Sequence, residues 1–322
     1  MRTIPSSERR AHTGYRSRPH PARLVPRRWR TGRKRWPGLI WRAHLEHQYF
    51  RSVWSKNLTE SPDLIYTSRI IKASALIADT KVLLAEWNLA QSVAENLDRA
   101  RRENIFGKAS RKRVQDILRI FRQRYFDDAD VGAALVTLTQ NGAPAQWIAP
   151  LLYFFSAQND RTLRDIVIEV LYPRHLAGYT DLPVQVVVRA IRNWVAEGKT
   201  TTPWGDKTIL RVAQNSMAAL RDFGVLQGAV NKHLTPIYLP TPSFALIALW
   251  LQQRERSGHL VLQSDDWRLF FLPVEGVERF FIEAQQEHLL TYNAAGSVVR
   301  IEFPAASLAE YTHVLLTNQR AR

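Results

Sequence analysis

From Tyr66 onward the apolar residues fall into helical periods. In YTSRIIKASALIADTKVLLAEWN, Ile70, Ile77 and Leu84 stand at heptad spacing, with Ala73, Ser74, Leu83 and Trp87 beside them. That spacing predicts one amphipathic helix of about five turns, with Thr67 or Ser68 as its N-cap. A second helix is expected over QSVAENLDRARREN. In SRKRVQDILRIFRQRYF, Ser110 caps a third, whose Val114, Ile117, Leu118, Phe121 and Tyr125 recur at i, i+3, i+4 and i+7. Apolar helices over 131–140 and 144–157, parted by NGAP, complete an all-α bundle assigned to residues 61–158.

Residues 159–240 have a different rhythm. A helix runs through RTLRDIVIEVL. A second starts near Asp181, which caps it, with Pro183 in its first turn. Val184, Val187, Val188, Ile191, Trp194 and Val195 are its core positions, and Gly198 ends it. A third helix, 206–223, is closed by Gly224, and VLQGAVNKHLTPIYL offers two short strands around a polar turn. Three helices followed by a hairpin is the element order of a winged helix-turn-helix. All-helical bundles contain such triplets too. The order then recurs over 241–322. A helix covers 242–256, SDDWRLFF makes a short helical run, and Pro273 opens a helix through Glu287. HLLTYNAAGSVVRIEF is a hairpin, and a last helix covers 305–317. The expected fold is therefore mainly α: a helical bundle followed by two winged-helix-like units with short β-hairpins.

Charge changes the picture less than the totals imply. The chain has 45 Lys/Arg against 29 Asp/Glu, a formal net charge of +16. Residues 1–60 hold 15 of the cations and 3 of the acids, so residues 61–322 are only mildly basic. The loudest stretch is RRWRTGRKRW, 27–36, with six cations and two Trp. Pro5, Pro19, Pro21, Pro26 and Pro37 interrupt any early helix, and a disordered extension is expected over 1–60. On one reading it is a basic arm that grips phosphates, with Trp29 and Trp36 stacking on bases. On the other it is a misplaced start, because translated GC-rich upstream DNA is rich in Arg, Pro and Trp. The absence of cysteine excludes disulfides and Cys-ligated metals. The longest apolar run, FALIALWL at 244–251, is far short of the ~20 residues a spanning helix needs. A cytoplasmic protein without membrane contact is expected.

Two surfaces are candidates for nucleic acid. On helix 206–223, Ile209, Val212, Ala213, Ser216, Leu220 and Phe223 fall on one side. Lys207, Arg211, Gln214, Ala218 and Arg221 fall on the other, with Asn215 at the edge. Arg reads guanine and Asn or Gln reads adenine in a major groove, and Ala218 permits close approach. Lys232 and His233 stand on the following hairpin. An ordinary solvated helix face has the same composition. The second surface is a stripe of Arg111, Lys112, Arg119 and Arg122 on the bundle helix, suited to phosphates and without base readout. Helix 273–287 carries Glu275, Glu278, Glu283 and Glu287 against Arg279. It would repel phosphate and is expected to meet protein.

Signals for catalysis are poor. NWVAEGKT, 193–200, ends like a phosphate-binding loop, but Asn193 replaces its first Gly and the stretch lies at a helix end. His44 and His47 lack a third metal ligand nearby. Asp127–Asp128 and Asp265–Asp266 are neighbours in sequence, which do not converge on a helix, and both pairs read as helix-end residues. No enzyme activity, cofactor, metal or small-molecule substrate is expected.

At YTSRIIKASALIADTKVLLAEWN the chain begins to resemble the BrxA family of BREX phage-defence systems. ASRKRVQDILRIFRQRY, WGDKTILRVAQNSMAALRDFGVL, SDDWRLFFL and GSVVRIEFP follow in order, so the resemblance spans about 66–303. It implies a helical bundle like that of the antitermination factor NusB. It implies a small, non-catalytic protein that binds duplex DNA, encoded beside a methyltransferase, an ATPase and a phosphatase-like protein. The alternatives are a scaffold that docks those proteins and an RNA-binding regulator.

Overall fold

The computed structural model describes residues 66–320, apart from Ala73, Pro236 and Ser297; the expectations for residues 1–60 lie outside the described residues. The fold is mainly helical, with short antiparallel hairpins. A 3-10 turn, Ser68–Lys72, leads into α1 (Ile77–Ala85), α2 (Val93–Glu103), α3 (Arg111–Tyr125), α4 (Ala129–Gln140) and α5 (Ala145–Asn159). Local chemistry sets most of these starts. Ser92 and Glu95 form a reciprocal capping box on α2, Ser110 accepts from the Arg113 amide, and Asp128 accepts from the Asp130 and Val131 amides.

The single five-turn helix expected over 66–88 is instead two pieces. Leu76 takes a left-handed backbone, φ 53°, between the 3-10 turn and α1. A break exposes carbonyl groups that need donors. Two arginines of α3 supply them. The Arg124 guanidinium, itself buried, donates to Ser74 O at 3.0 Å and Ala75 O at 3.2 Å, and Arg113 donates to Lys72 O at 2.8 Å. Heptad spacing survives across the break because Ile70 and Leu84 still reach the same core.

α6 (Arg161–Asp165), a π-helical segment (Ile166–Leu171) and α7 (Tyr172–Leu176) follow in succession. Next come α8 (Val184–Ala196), α9 (Asp206–Asp222), β1 (Leu226–Gln227) and β2 (His233–Leu234). Pro183, not Asp181, is the N-cap of α8, and no side chain caps it. Asp181 is used elsewhere, in an antiparallel bridge to His233. Gly198 closes α8 with φ 72°.

The last segment comprises α10 (Thr241–Gln252), α11 (Gly258–Leu262), a 3-10 turn (Asp265–Phe270), α12 (Val274–Gln286), β3 (Thr291–Ala295), β4 (Val298–Glu302) and α13 (Leu308–Arg320). β3 pairs with β4 from Thr291↔Glu302 to Ala295↔Val298. α10 is shorter than expected, and α13 starts at Leu308 rather than 305 and runs on to Arg320.

One hydrophobic core runs from Tyr66 to Leu316, across the expected boundaries at 158 and 240. Polar links follow it. Asp130 of α4 accepts from the Leu308 and Ala309 amides at 2.7 and 3.0 Å, capping α13 from 178 residues away. Tyr153 of α5 donates to Leu269 O, and Ser243 of α10 donates to Trp147 O.

Asp165 ties Tyr66 to α6 and, through Arg164, to the 265–270 turn. Its carboxylate, 4% exposed, accepts from Tyr66 Oη at 2.6 Å, Arg161 Nε at 2.9 Å and Arg164 Nη1 at 3.4 Å. Arg164 also holds Asp266 at 2.7 Å. Tyr66 stacks on Trp194 with ring centroids 4.6 Å apart, and its amide donates to Lys199 O. Burial and the hydrogen bond to Asp165 push the Tyr66 phenol far above its ordinary value, so it stays a donor.

Asp165→Ala would leave the Arg161 guanidinium without its carboxylate and the buried Tyr66 hydroxyl without its acceptor, while Arg164 keeps Asp266, and we expect a loss of about 2–3 kcal/mol in urea unfolding. Tyr66→Phe should lose about 1.5 kcal/mol, since the arginines still neutralise the carboxylate. Equal, negligible losses would show that the network does not hold the fold. Ser216 of α9 is fully buried and its hydroxyl has no hydrogen-bond partner among the described residues. Ser216→Ala should therefore be neutral or stabilising by less than about 1 kcal/mol, whereas Ser216→Arg should unfold the protein. Circular dichroism on both variants checks this pair.

Candidate nucleic-acid interface

α9 is amphipathic, and its packing decides which residues reach solvent. Ile209, Val212, Ala213, Ser216, Met217, Ala219 and Leu220 are buried, against α8 and the 68–72 turn. Lys207, Arg211, Gln214 and Arg221 are exposed, with Asn215 and Ala218 half-buried. Lys207, Arg211 and Gln214 have no side-chain partner among the described residues. The Asn215 amide instead donates to Arg211 O at 2.8 Å, in its own helix. One of the two Asn215 amide hydrogens is thus spent inside the helix, which leaves fewer donors for a base than the sequence assigns to it.

The hairpin beside α9 gains a third extended segment. Leu226 pairs with Leu234, and Gln227 with His233. Leu182 N donates to Lys232 O at 2.8 Å and Leu234 N to Thr180 O at 2.7 Å. The lateral order is therefore 226–227, 233–234, 180–182. The turn between β1 and β2 is tight: Gly228 has φ 97°, and a Cβ there would stand 2.0 Å from Asn231 O.

A cleft of about 720 Å³ opens between the start of α8, the C-terminal half of α9 and this turn. Gln214, Arg221, Asn231, Lys232 and His233 line it, with Asp181. Of the α9 residues singled out in the sequence, Gln214, Ala218 and Arg221 meet Lys232 there. Lys207, Arg211 and Asn215 lie on α9 outside the cleft. Gln185 and Asn231 line it as well and were not legible in the sequence. Only the pairing of 180–182 with 232–234 brings the start of α8 to the turn.

The bundle stripe is a separate surface. Arg111, Lys112, Arg119 and Arg122 are all exposed on α3, which packs on α2, α4 and α5. Arg122 has one acid nearby, Asp127 at 4.0 Å. On α12 the contrast in charge persists. Glu275 and Glu283 are exposed, and Glu278 accepts from Tyr292 Oη at 3.1 Å. Burial and that carboxylate push the Tyr292 phenol up to about 12. The NWVAEGKT stretch forms the C-terminal end of α8 and the turn after it. Asp128 is a helix cap, and Asp265 and Asp266 pair with Arg268 and Arg164. Among the described residues no helix is long and apolar enough to cross a membrane, and no three His, Asp or Glu side chains cluster as metal ligands do.

Comparison with known proteins adds a family. No curated protein matches the chain. Among solved structures, the crystal structure of an uncharacterized protein from Magnetospirillum magneticum is similar, with a TM-score of 0.51 at 14% identity. The likeness covers 64% of this chain and 99% of that one, and at this identity it shows a shared fold alone. The family model for BrxA matches residues 64–249, more than half of the chain. The match takes in the helices around Ile70, Arg119 and Arg211 and stops short of SDDWRLFFL and GSVVRIEFP. The chain belongs to the BrxA family, a membership that points to involvement in BREX phage defence.

Proposed function

We propose that this chain is a non-catalytic, DNA-binding accessory subunit of a BREX-type defence system. In this reading residues 161–234 act as a winged helix, α9 enters the major groove, and the β1–β2 turn lies beside it as the wing. The observation that carries the reading is the third extended segment. A strand placed between the first and second helices, paired with the far strand of a hairpin that follows the third, is the arrangement of a winged helix. Beside it, α9 turns two cations and a glutamine to solvent without internal partners. The bundle stripe adds phosphate contacts without base readout. The protein works in the cytoplasm, next to the methyltransferase, ATPase and phosphatase-like proteins of the system.

A second reading has one observation in its favour. The acid-rich exposed face of α12 suits a protein partner, and DNA contact would then be incidental. An RNA-binding role is the third possibility, and substrate comparison separates it.

The test is anisotropy of the full chain on duplex DNA and duplex RNA of equal sequence. We expect tighter binding to DNA. Arg211→Ala should cost about 1–3 kcal/mol on some sequences and less on others if it reads a base. Replacing Arg111, Lys112, Arg119 and Arg122 by Ala should weaken binding uniformly, with a less steep salt dependence. Loss with the stripe variants but none with Arg211→Ala would move the interface to the bundle. Equal affinity for RNA, or insensitivity to both variant sets, would overturn the proposal.

A further inference from the structure

Two cations face the cleft beside α9 from different elements. Arg221 comes from the last turn of α9, and Lys232 from the turn before β2. Burial, and then the Arg221 charge, push the Lys232 ammonium below its ordinary value. Two like charges that line one cleft favour an anion able to reach both. The acids nearby are already engaged. Asp222 pairs with Arg221 at 2.7 Å, and Asp181 pairs with Arg174 at 3.3 Å.

The donors are also fixed in place. The Lys232 ammonium is anchored by one hydrogen bond, to Ala229 O at 2.9 Å, which leaves two of its hydrogens. Its own carbonyl is held by the Leu182 amide. The turn behind it is tight enough at Gly228 that no side chain fits there. Gln214 and Asn231 add neutral amides to the wall. Donors that are set before binding lose little entropy on binding.

We propose that this cleft seats a single phosphate group of a nucleic-acid backbone, held between Arg221 and Lys232. The inference rests on the DNA-binding reading above. The chemistry selects the ligand. Donors approach from two walls, which suits the several acceptor oxygens of a phosphate, and the cleft is open enough for a polymer to continue past it. The position is informative too. Arg211 lies ten residues before Arg221 on the same face, about 15 Å along the helix. A phosphate fixed at the C-terminal end of α9 sets the register in which Arg211 and Lys207 meet the groove.

The experiment uses the full chain and three variants, Arg221→Gln, Lys232→Gln and their double, with Arg211→Gln as comparator. Arg211 and Arg221 are exposed and Lys232 is half-buried, so unchanged melting temperatures are expected and are measured first. By anisotropy on several duplexes, each single variant should weaken binding up to about tenfold near 0.1 M salt, equally on every sequence. The double variant should lose much less than the product of the singles, because both side chains hold one group. Inorganic phosphate should shift the amide resonances of Asn231 and Lys232, and an added duplex should compete with it. If Arg211→Gln weakens binding while the cleft variants do not, the seat is wrong and the DNA reading stands. If the two single losses multiply, the cations meet separate phosphates and the shared seat is wrong. If phosphate shifts those amides yet the variants bind DNA normally, the ligand is a free phosphate compound and the proposal fails. If none of the variants weakens DNA binding, the reading it rests on fails with it.

Discussion

A buried carboxylate cannot stand alone, and Asp165 shows what the rest of the fold does to accommodate one. Its three donors come from two stretches of chain: Tyr66 from the N-terminal edge, Arg161 and Arg164 from its own helix. Through Arg164 the network continues to Asp266, a hundred residues on. Through Tyr66 it continues to Trp194 and the backbone of Lys199, at the end of α8. The C-terminal end of α8 is therefore tied to the network. α9 packs on α8 and on the 68–72 turn, so its exposed face inherits that constraint. Burial, with the Asp165 charge next, also raises the Glu169 carboxyl, whose oxygen accepts from the Trp194 indole. The π-helical turn after Asp165 widens the helix where these groups must fit side by side.

Much of the fold was legible because apolar spacing is a strong signal in long helices. Val114, Ile117, Leu118, Phe121 and Tyr125 are all buried, and so are the inward residues assigned to α9. Local cap chemistry was legible at Ser110 for the same reason, since the donor lies three residues away. The failures have a common cause in tertiary contacts. Nothing between residues 66 and 88 announces a break, because the groups that stabilise it, Arg113 and Arg124, lie about forty to fifty residues later. Asp181 reads as a cap, but pairing with the 232–234 segment takes its backbone into a strand.

The same distinction divides the candidate site. That Lys207, Arg211, Gln214 and Arg221 point outward follows from helical geometry and needs no partner. That Arg221 shares a cleft with Lys232, Asn231 and Gln185 depends on a three-segment pairing invisible to any local pattern. Asn215 sits between these cases. Its position was legible, while its hydrogen bond to Arg211 O depends on a rotamer choice.

Net charge is a poor guide to where such a protein would touch an anion. Residues 61–322 are nearly balanced, yet the cations and acids are segregated by element. α3 and α9 expose cations, and α12 exposes glutamates. Screening limits each charge to about 10 Å at 0.1 M salt, so a polyanion responds to the local face and not to the total. A mildly basic body with segregated faces has a further consequence. A polyanion is attracted to two surfaces and repelled from a third, which narrows its orientations without any contact being sequence-specific. If DNA occupied the basic faces, the acidic face on α12 would stay open to another protein, so the two proposed readings are physically compatible in one chain.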